Sequence, residues 1–153
     1  GVGMVEAERA LDGVGWKLLR ELQQNARIPF SELGRRVGLT APAVAERVKR
    51  MEDAGIITGY RVELNIERLG MPLTAFIRVI PREGNCARVM ELARSIPEVV
   101  ECHRVTGAEC SIVKVVARSV QHLEAIIDSL MPAGETVTSI VLSTPVAHRV
   151  VGP

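Results

Sequence analysis

The chain has 153 residues, 19 Lys+Arg against 18 Asp+Glu, 47% hydrophobic residues and four aromatics, Trp16, Phe30, Tyr60 and Phe76. Hydrophobic content this high at a net charge of +1 excludes a disordered chain, and no run of roughly 18 uncharged apolar residues exists to span a membrane. Three cysteines (Cys86, Cys102 and Cys110) without paired spacing argue against a disulfide framework, and with no signal-peptide pattern the expected compartment is the cytoplasm.

Gly1-Val2-Gly3 ahead of Met4 reads as a remnant of expression and is set aside. From Leu11 the sequence predicts three short helices. Asp12 caps the first, which carries Trp16, Leu18, Leu19 and Leu22 and ends before Pro29. The second spans Ser31 to Val37, with Gly38 as its stop. Thr40 caps the third, which tolerates Pro42 in its first turn and runs through Ala54 to Gly55. Two short helices, a glycine-containing turn and a longer helix form a helix-turn-helix pattern.

In the third helix Val44, Val48 and Met51 share one face and are expected in the core. Ala43, Glu46, Arg47, Lys49, Arg50 and Asp53 lie opposite. Small residues early and cations later suit a helix whose N-terminal end meets base edges while its cations neutralise phosphates. Pro42, Ala43 and Glu46 are the candidates near base edges, Arg35, Arg36, Arg47, Lys49 and Arg50 the candidates for phosphates, and the capping Thr40 is counted with them as a DNA-binding residue. A solvated face with ion pairs such as Glu46–Arg50 is the competing reading of the charges alone.

Beyond Gly55 the alternating, β-branched run through Val62 predicts a strand, which makes 57–71 a strand-bearing linker between a domain at 4–56 and another at 72–150. Within the second domain the expected order is a strand at Leu73–Ile80, a helix at Asn85–Ile96, strands at Val99–Thr106 and Cys110–Ala117, a helix capped by Ser119 and stopped by Pro132, and a strand at Val137–Thr144. This βαββαβ order is the ferredoxin-like one, an antiparallel sheet with both helices on one face. The fold class is therefore α+β, a three-helix winged helix-turn-helix followed by a ferredoxin-like domain. An apolar second sheet face implies self-association, at least to a dimer.

Leu18-Leu19-Arg20-Glu21-Leu22, Asn25-Ala26-Arg27, Glu32 through Thr40, Glu46 through Glu52, Gly55-Ile56-Ile57 and Val105-Thr106-Gly107, in this order and spacing, resemble the Lrp/AsnC (feast/famine) transcriptional regulators over residues 11–148. The resemblance implies double-stranded DNA as a partner and a C-terminal effector-binding (RAM) domain. It also implies homodimers assembling to octamers, and a nucleoid-associated protein. A small effector, most often an amino acid, would bind at Thr106, Gly107, Ala108, Glu109 and Cys110. Family members that respond to amino acids commonly carry Asp where this chain has Cys110, and often an aromatic where it has Glu109. An Asp there can pair with an α-ammonium group, a charge a neutral thiol does not supply.

Rival readings are weaker. An RNA-recognition module stacks bases on aromatics of its central strands, and Cys110–Ala117 has none. No catalytic residue, cofactor or metal is expected: Cys102-His103 are adjacent, so they point to opposite strand faces, and His122 and His148 stand apart without ligand spacing. The remaining alternative is an effector-binding and assembly module that no longer binds DNA specifically.

Overall fold

The computed structural model describes residues 2–153. They form two units, one of residues up to Val62 together with Val146–Pro153, the other of Glu63–Pro145.

The first unit contains α1 (Val2–Ala10), α2 (Gly13–Gln24), α3 (Phe30–Val37) and α4 (Ala41–Asp53). Helix α1 precedes the three helices expected from Leu11 onward, and Ala10 at its end is buried in the helical core. Asp12 caps α2 by accepting the Gly15 N–H at 2.8 Å, and Thr40 caps α4 by accepting that of Ala43 at 3.3 Å. Leu18, Leu22, Leu33, Val44, Val48 and Met51 close the core between the helices. Burying a leucine or methionine this fully contributes roughly 1.5–3 kcal/mol.

The α3–α4 turn is tight. Gly38 is left-handed at φ 77°, its N–H donating to the Gly34 carbonyl, and the Leu39 N–H donates to the same oxygen at 2.8 Å. A Cβ on Gly34 would overlap the Leu39 carbonyl oxygen, so this position requires glycine.

The strand expected after Gly55, and with it the wing, does not form among the described residues. A strand needs a ladder partner, and among the described residues Ile57–Val62 finds none.

The second unit contains β1 (Leu73–Pro81), α5 (Cys86–Ser95), β2 (Val99–Arg104), β3 (Ser111–Ala117), α6 (Val120–Leu130) and β4 (Gly134–Ile140), with 3-10 turns before α5 and β4. The sheet is antiparallel in the order β2-β3-β1-β4, the ferredoxin-like arrangement. Ala75, Ile77, Val79, Val113 and Val115 pack against Val89, Ala93, Leu123, Ile126 and Leu130 of the two helices. The last strand starts three residues earlier than the sequence suggests. Helix α6 gives way at Leu130 to a single turn at Met131–Ala133, which contains Pro132, and pairing begins at once with Gly134 opposite Pro81. It ends at Ile140 opposite Ala75, because β1 itself begins at Leu73. By their contacts, residues 146–153 group with the helices of the first unit.

The outer sheet face is mixed rather than largely apolar. Phe76, Val137 and Ile112 alternate there with Arg78, Lys114, Glu101 and His103, and the Lys114 ammonium sits 5.9 Å from the Phe76 ring centroid.

At the opposite end of the sheet, His122 ties α6 to the start of β2. The Arg118 N–H donates to Nδ1 at 2.9 Å, which leaves the proton on Nε2, 3.0 Å from Glu98 Oε1. The His122 bond is the main cause holding the Glu98 carboxyl below its ordinary 4.5. A depressed carboxyl contributes stability that is whole above the unfolded value and is lost as pH falls through the folded one. Thermal midpoints measured against pH are therefore expected to be flat near neutrality and to fall below about pH 4.5. Glu98→Gln should have a shallower acid limb; an unchanged limb would remove Glu98 from the account.

Candidate functional site

Helices α2, α3 and α4 assemble the N-terminal site. On α4 the buried positions Val44, Val48 and Met51 leave Pro42, Glu46, Lys49, Arg50 and Asp53 as one exposed stripe. Ala43 and Arg47 flank it, each partly buried. Thr40 sits at the N-terminus of this stripe, where its cap orients the first turn. The predicted residues on α4 therefore come together, with the small ones at the N-terminal end.

Their charges are already engaged. Arg50 reaches Glu46 at 2.7 Å and Lys49 reaches Asp53 at 2.9 Å, both i,i+4 pairs. On α3, Glu32 receives Arg35 at 2.6 Å and Arg36 at 3.1 Å, and Arg36 also reaches Glu21 of α2 at 2.7 Å. Arg35, then Arg36, hold the Glu32 carboxyl at about 2. These pairs are exposed, so each stabilises the fold little and its cation can exchange partners at low cost.

Arg47 is different. Its guanidinium Nη1 lies 2.8 Å from both Asp12 oxygens, and it is less exposed than the other cations. It pins the cap of α2 to α4, and the Asp12 carboxyl is lowered by that bond first and by the Gly15 N–H second. The sequence shows Arg47 as a phosphate candidate and Asp12 as a helix cap but not their contact, because residues 35 apart leave no local spacing signal.

The second candidate site is the β2–β3 hairpin, closed by the Val105 N–H donating to the Cys110 carbonyl at 3.1 Å. Thr106, Gly107 and Ala108 are exposed at its tip, with Gly107 at φ 112°. Glu109 and Cys110 diverge. The Glu109 carboxylate lies 3.8 Å from Arg78, while Cys110 is buried among the core residues with its N–H on the Val79 carbonyl. Burial, then contact with the Cys86 thiol, pushes the Cys110 thiol up, so it is held neutral. The loop presents one carboxylate, and it is that of Glu109. No group of three or more metal-ligating side chains occurs among the described residues.

Residues 11–52 match the AsnC-type helix-turn-helix domain, and residues 74–151 match the Lrp/AsnC ligand binding domain. The protein belongs to the Lrp/AsnC family. It is similar to the HTH-type transcriptional regulator YezC of Bacillus subtilis, 41% identical over 90% of this chain and 98% of the relative. It is also similar to the leucine-responsive regulatory protein of Rhizobium meliloti, 35% identical over 85% of each. Among solved structures, the transcriptional regulator–L-Met complex from Neisseria meningitidis aligns with a TM-score of 0.86 at 30% identity, over 93% of this chain and 96% of that one. The feast or famine regulatory protein from M. tuberculosis complexed with L-methionine aligns at 0.84 and 32%, over 91% and 97%. As an Lrp/AsnC member the protein is a helix-turn-helix transcriptional regulator and not an enzyme. No helix among the described residues is long and apolar enough to cross a membrane.

Proposed function

We propose that the protein is a cytoplasmic, sequence-specific regulator that binds double-stranded DNA as a homodimer or a larger ring of dimers. Each α4 enters the major groove, Thr40, Pro42, Ala43 and Glu46 meet base edges, and Arg35, Arg36, Arg47, Lys49 and Arg50 lie along phosphates. The observation that carries this reading is the exposed α4 stripe, small at its capped N-terminus and bearing Lys49 and Arg50 further along. Arg47 would serve from its anchored position on Asp12. A gel shift with the DNA upstream of the protein's own gene is expected to show specific binding that weakens steeply as salt rises. The internal pairing of the cations is what supports the alternative, an effector-binding and assembly module without specific DNA binding, and no shift on any promoter fragment would favour it.

Two relatives hold L-methionine, which makes it the first effector to test. The site would be the loop of Thr106, Gly107, Ala108, Glu109 and Cys110. Here Glu109, not Cys110, offers the carboxylate for an α-ammonium group, in competition with Arg78. Calorimetry against the twenty amino acids should yield a binder, with Gly107→Leu abolishing it and Glu109→Gln weakening it. A blank panel would count against an amino-acid effector. Bound effector would change how dimers assemble, which requires different affinities in the two assemblies and is read by light scattering.

A further inference from the structure

The segment 146–153 meets α2 through residues 151–153. Trp16, Arg20 and Gln23 fall at i, i+4 and i+7 on that helix and form one stripe. Gln23 grips the backbone of Val151 from both sides, Nε2 donating to its carbonyl at 2.9 Å and Oε1 accepting its N–H at 2.8 Å. This reproduces the pair of bonds that one strand residue gives another. Arg20 Nη2 donates to the Pro153 carbonyl at 3.0 Å. Between them residue 152 lies over the indole: a Cβ there would stand 3.5 Å from Cε3 and Cζ3 of Trp16. The segment also walls one end of a groove of about 410 Å³ that continues past Leu19, Ile57 and Tyr60.

Helix α2 is the member to which the DNA-contacting helices are fastened. Leu18 and Leu22 on its inner face fill the core, Glu21 holds Arg36 of α3, and Asp12 at its cap holds Arg47 of α4. A hold on its outer face therefore bears on the setting of α3 and α4. The contacts are with main-chain atoms and one ring face, so they fasten the segment whatever its side chains.

We propose that residues 146–153 are a strap that holds α2, and through it the helix-turn-helix, in the form that binds DNA. The ligand-binding match runs to residue 151, so the end of the effector domain's sequence is built into the DNA-binding unit. In its DNA arm the inference rests on the function proposed above.

The test uses the full chain and two exposed-site variants. Gln23→Ala removes both bonds to Val151, and Gln23→Glu keeps the acceptor but sets a carboxylate oxygen against the Val151 carbonyl. Trp16 is the only tryptophan and reports on the segment directly. Both variants are expected to shift its emission to the red, to speed amide exchange in α2 roughly fivefold or more, and to weaken DNA binding about three- to tenfold. Wild-type emission and exchange in both variants would overturn the strap. Altered emission with unchanged DNA affinity would overturn its bearing on the DNA-binding form. Should the wild type bind no DNA while the variants still exchange faster, the DNA-binding reading falls and the hold on α2 stands.

Discussion

Gly34→Ala is expected to destabilise the N-terminal unit by roughly 1–3 kcal/mol or more, the range for forcing extra volume into a packed site. The added methyl would overlap the Leu39 carbonyl oxygen and lie 3.2 Å from its carbonyl carbon and 3.4 Å from that of Thr40. Those atoms are backbone, and backbone does not rotate away as a side chain does. Relief requires opening the turn, and opening it breaks the Leu39 N–H bond to Gly34 and tilts the Thr40 cap. The change therefore reaches α4 as well as stability, and DNA affinity should fall beyond what the unfolded fraction explains. Gly38→Ala is the control. Its Cβ would meet nothing within 4 Å, so only the left-handed φ of 77° is penalised, at about 1–2 kcal/mol. Urea denaturation followed by circular dichroism should rank Gly34→Ala as the more damaging, and Gly38→Asn as milder than Gly38→Ala. Equal midpoints for Gly34→Ala and the wild type would show that the turn is looser than its geometry implies.

What the sequence reveals here is mostly local. The caps at Asp12, Thr40, Asn85 and Ser119 are each one polar side chain reaching a backbone N–H three residues on, so spacing along the chain exposes them. The pairs Glu32–Arg35, Glu46–Arg50 and Lys49–Asp53 are legible for the same reason. Alternation along the strands also shows that Glu109 and Cys110 point apart. The failures are contacts across long sequence distances. The extent of β4 is decided by where β1 begins, so its composition alone misplaces it. The run after Gly55 has strand composition, but a strand is a relation between two segments. Arg47–Asp12 and Gln23–Val151 join residues 35 and 128 positions apart, and no spacing along the chain links their members.

The outward face of α4 makes a sharper prediction than its composition suggests. Glu46, Lys49, Arg50 and Asp53 are exposed and sum to no net charge, so this stripe as folded does not attract a phosphate backbone strongly. DNA must draw Arg50 from Glu46 and Lys49 from Asp53, exchanges that exposed pairs allow at low cost. Arg50→Ala should then weaken binding to every DNA sequence, by about tenfold, and reduce the salt slope by about 1. Glu46→Ala separates two roles. As a mere counter-ion, Glu46 only competes for Arg50, and its removal should tighten binding to all DNA alike. As a base reader accepting from a cytosine amino group, it also discriminates, and its loss should relax preference at one base pair by roughly 1–3 kcal/mol. Placement near the capped N-terminal end of α4 favours the reader, so the expected result has both parts. Non-specific binding should tighten a few-fold while operator preference falls at a single position. Competition titrations with single-base operator variants, run at several salt concentrations, read the two effects separately. Uniform tightening with every base preference intact would reduce Glu46 to the partner of Arg50.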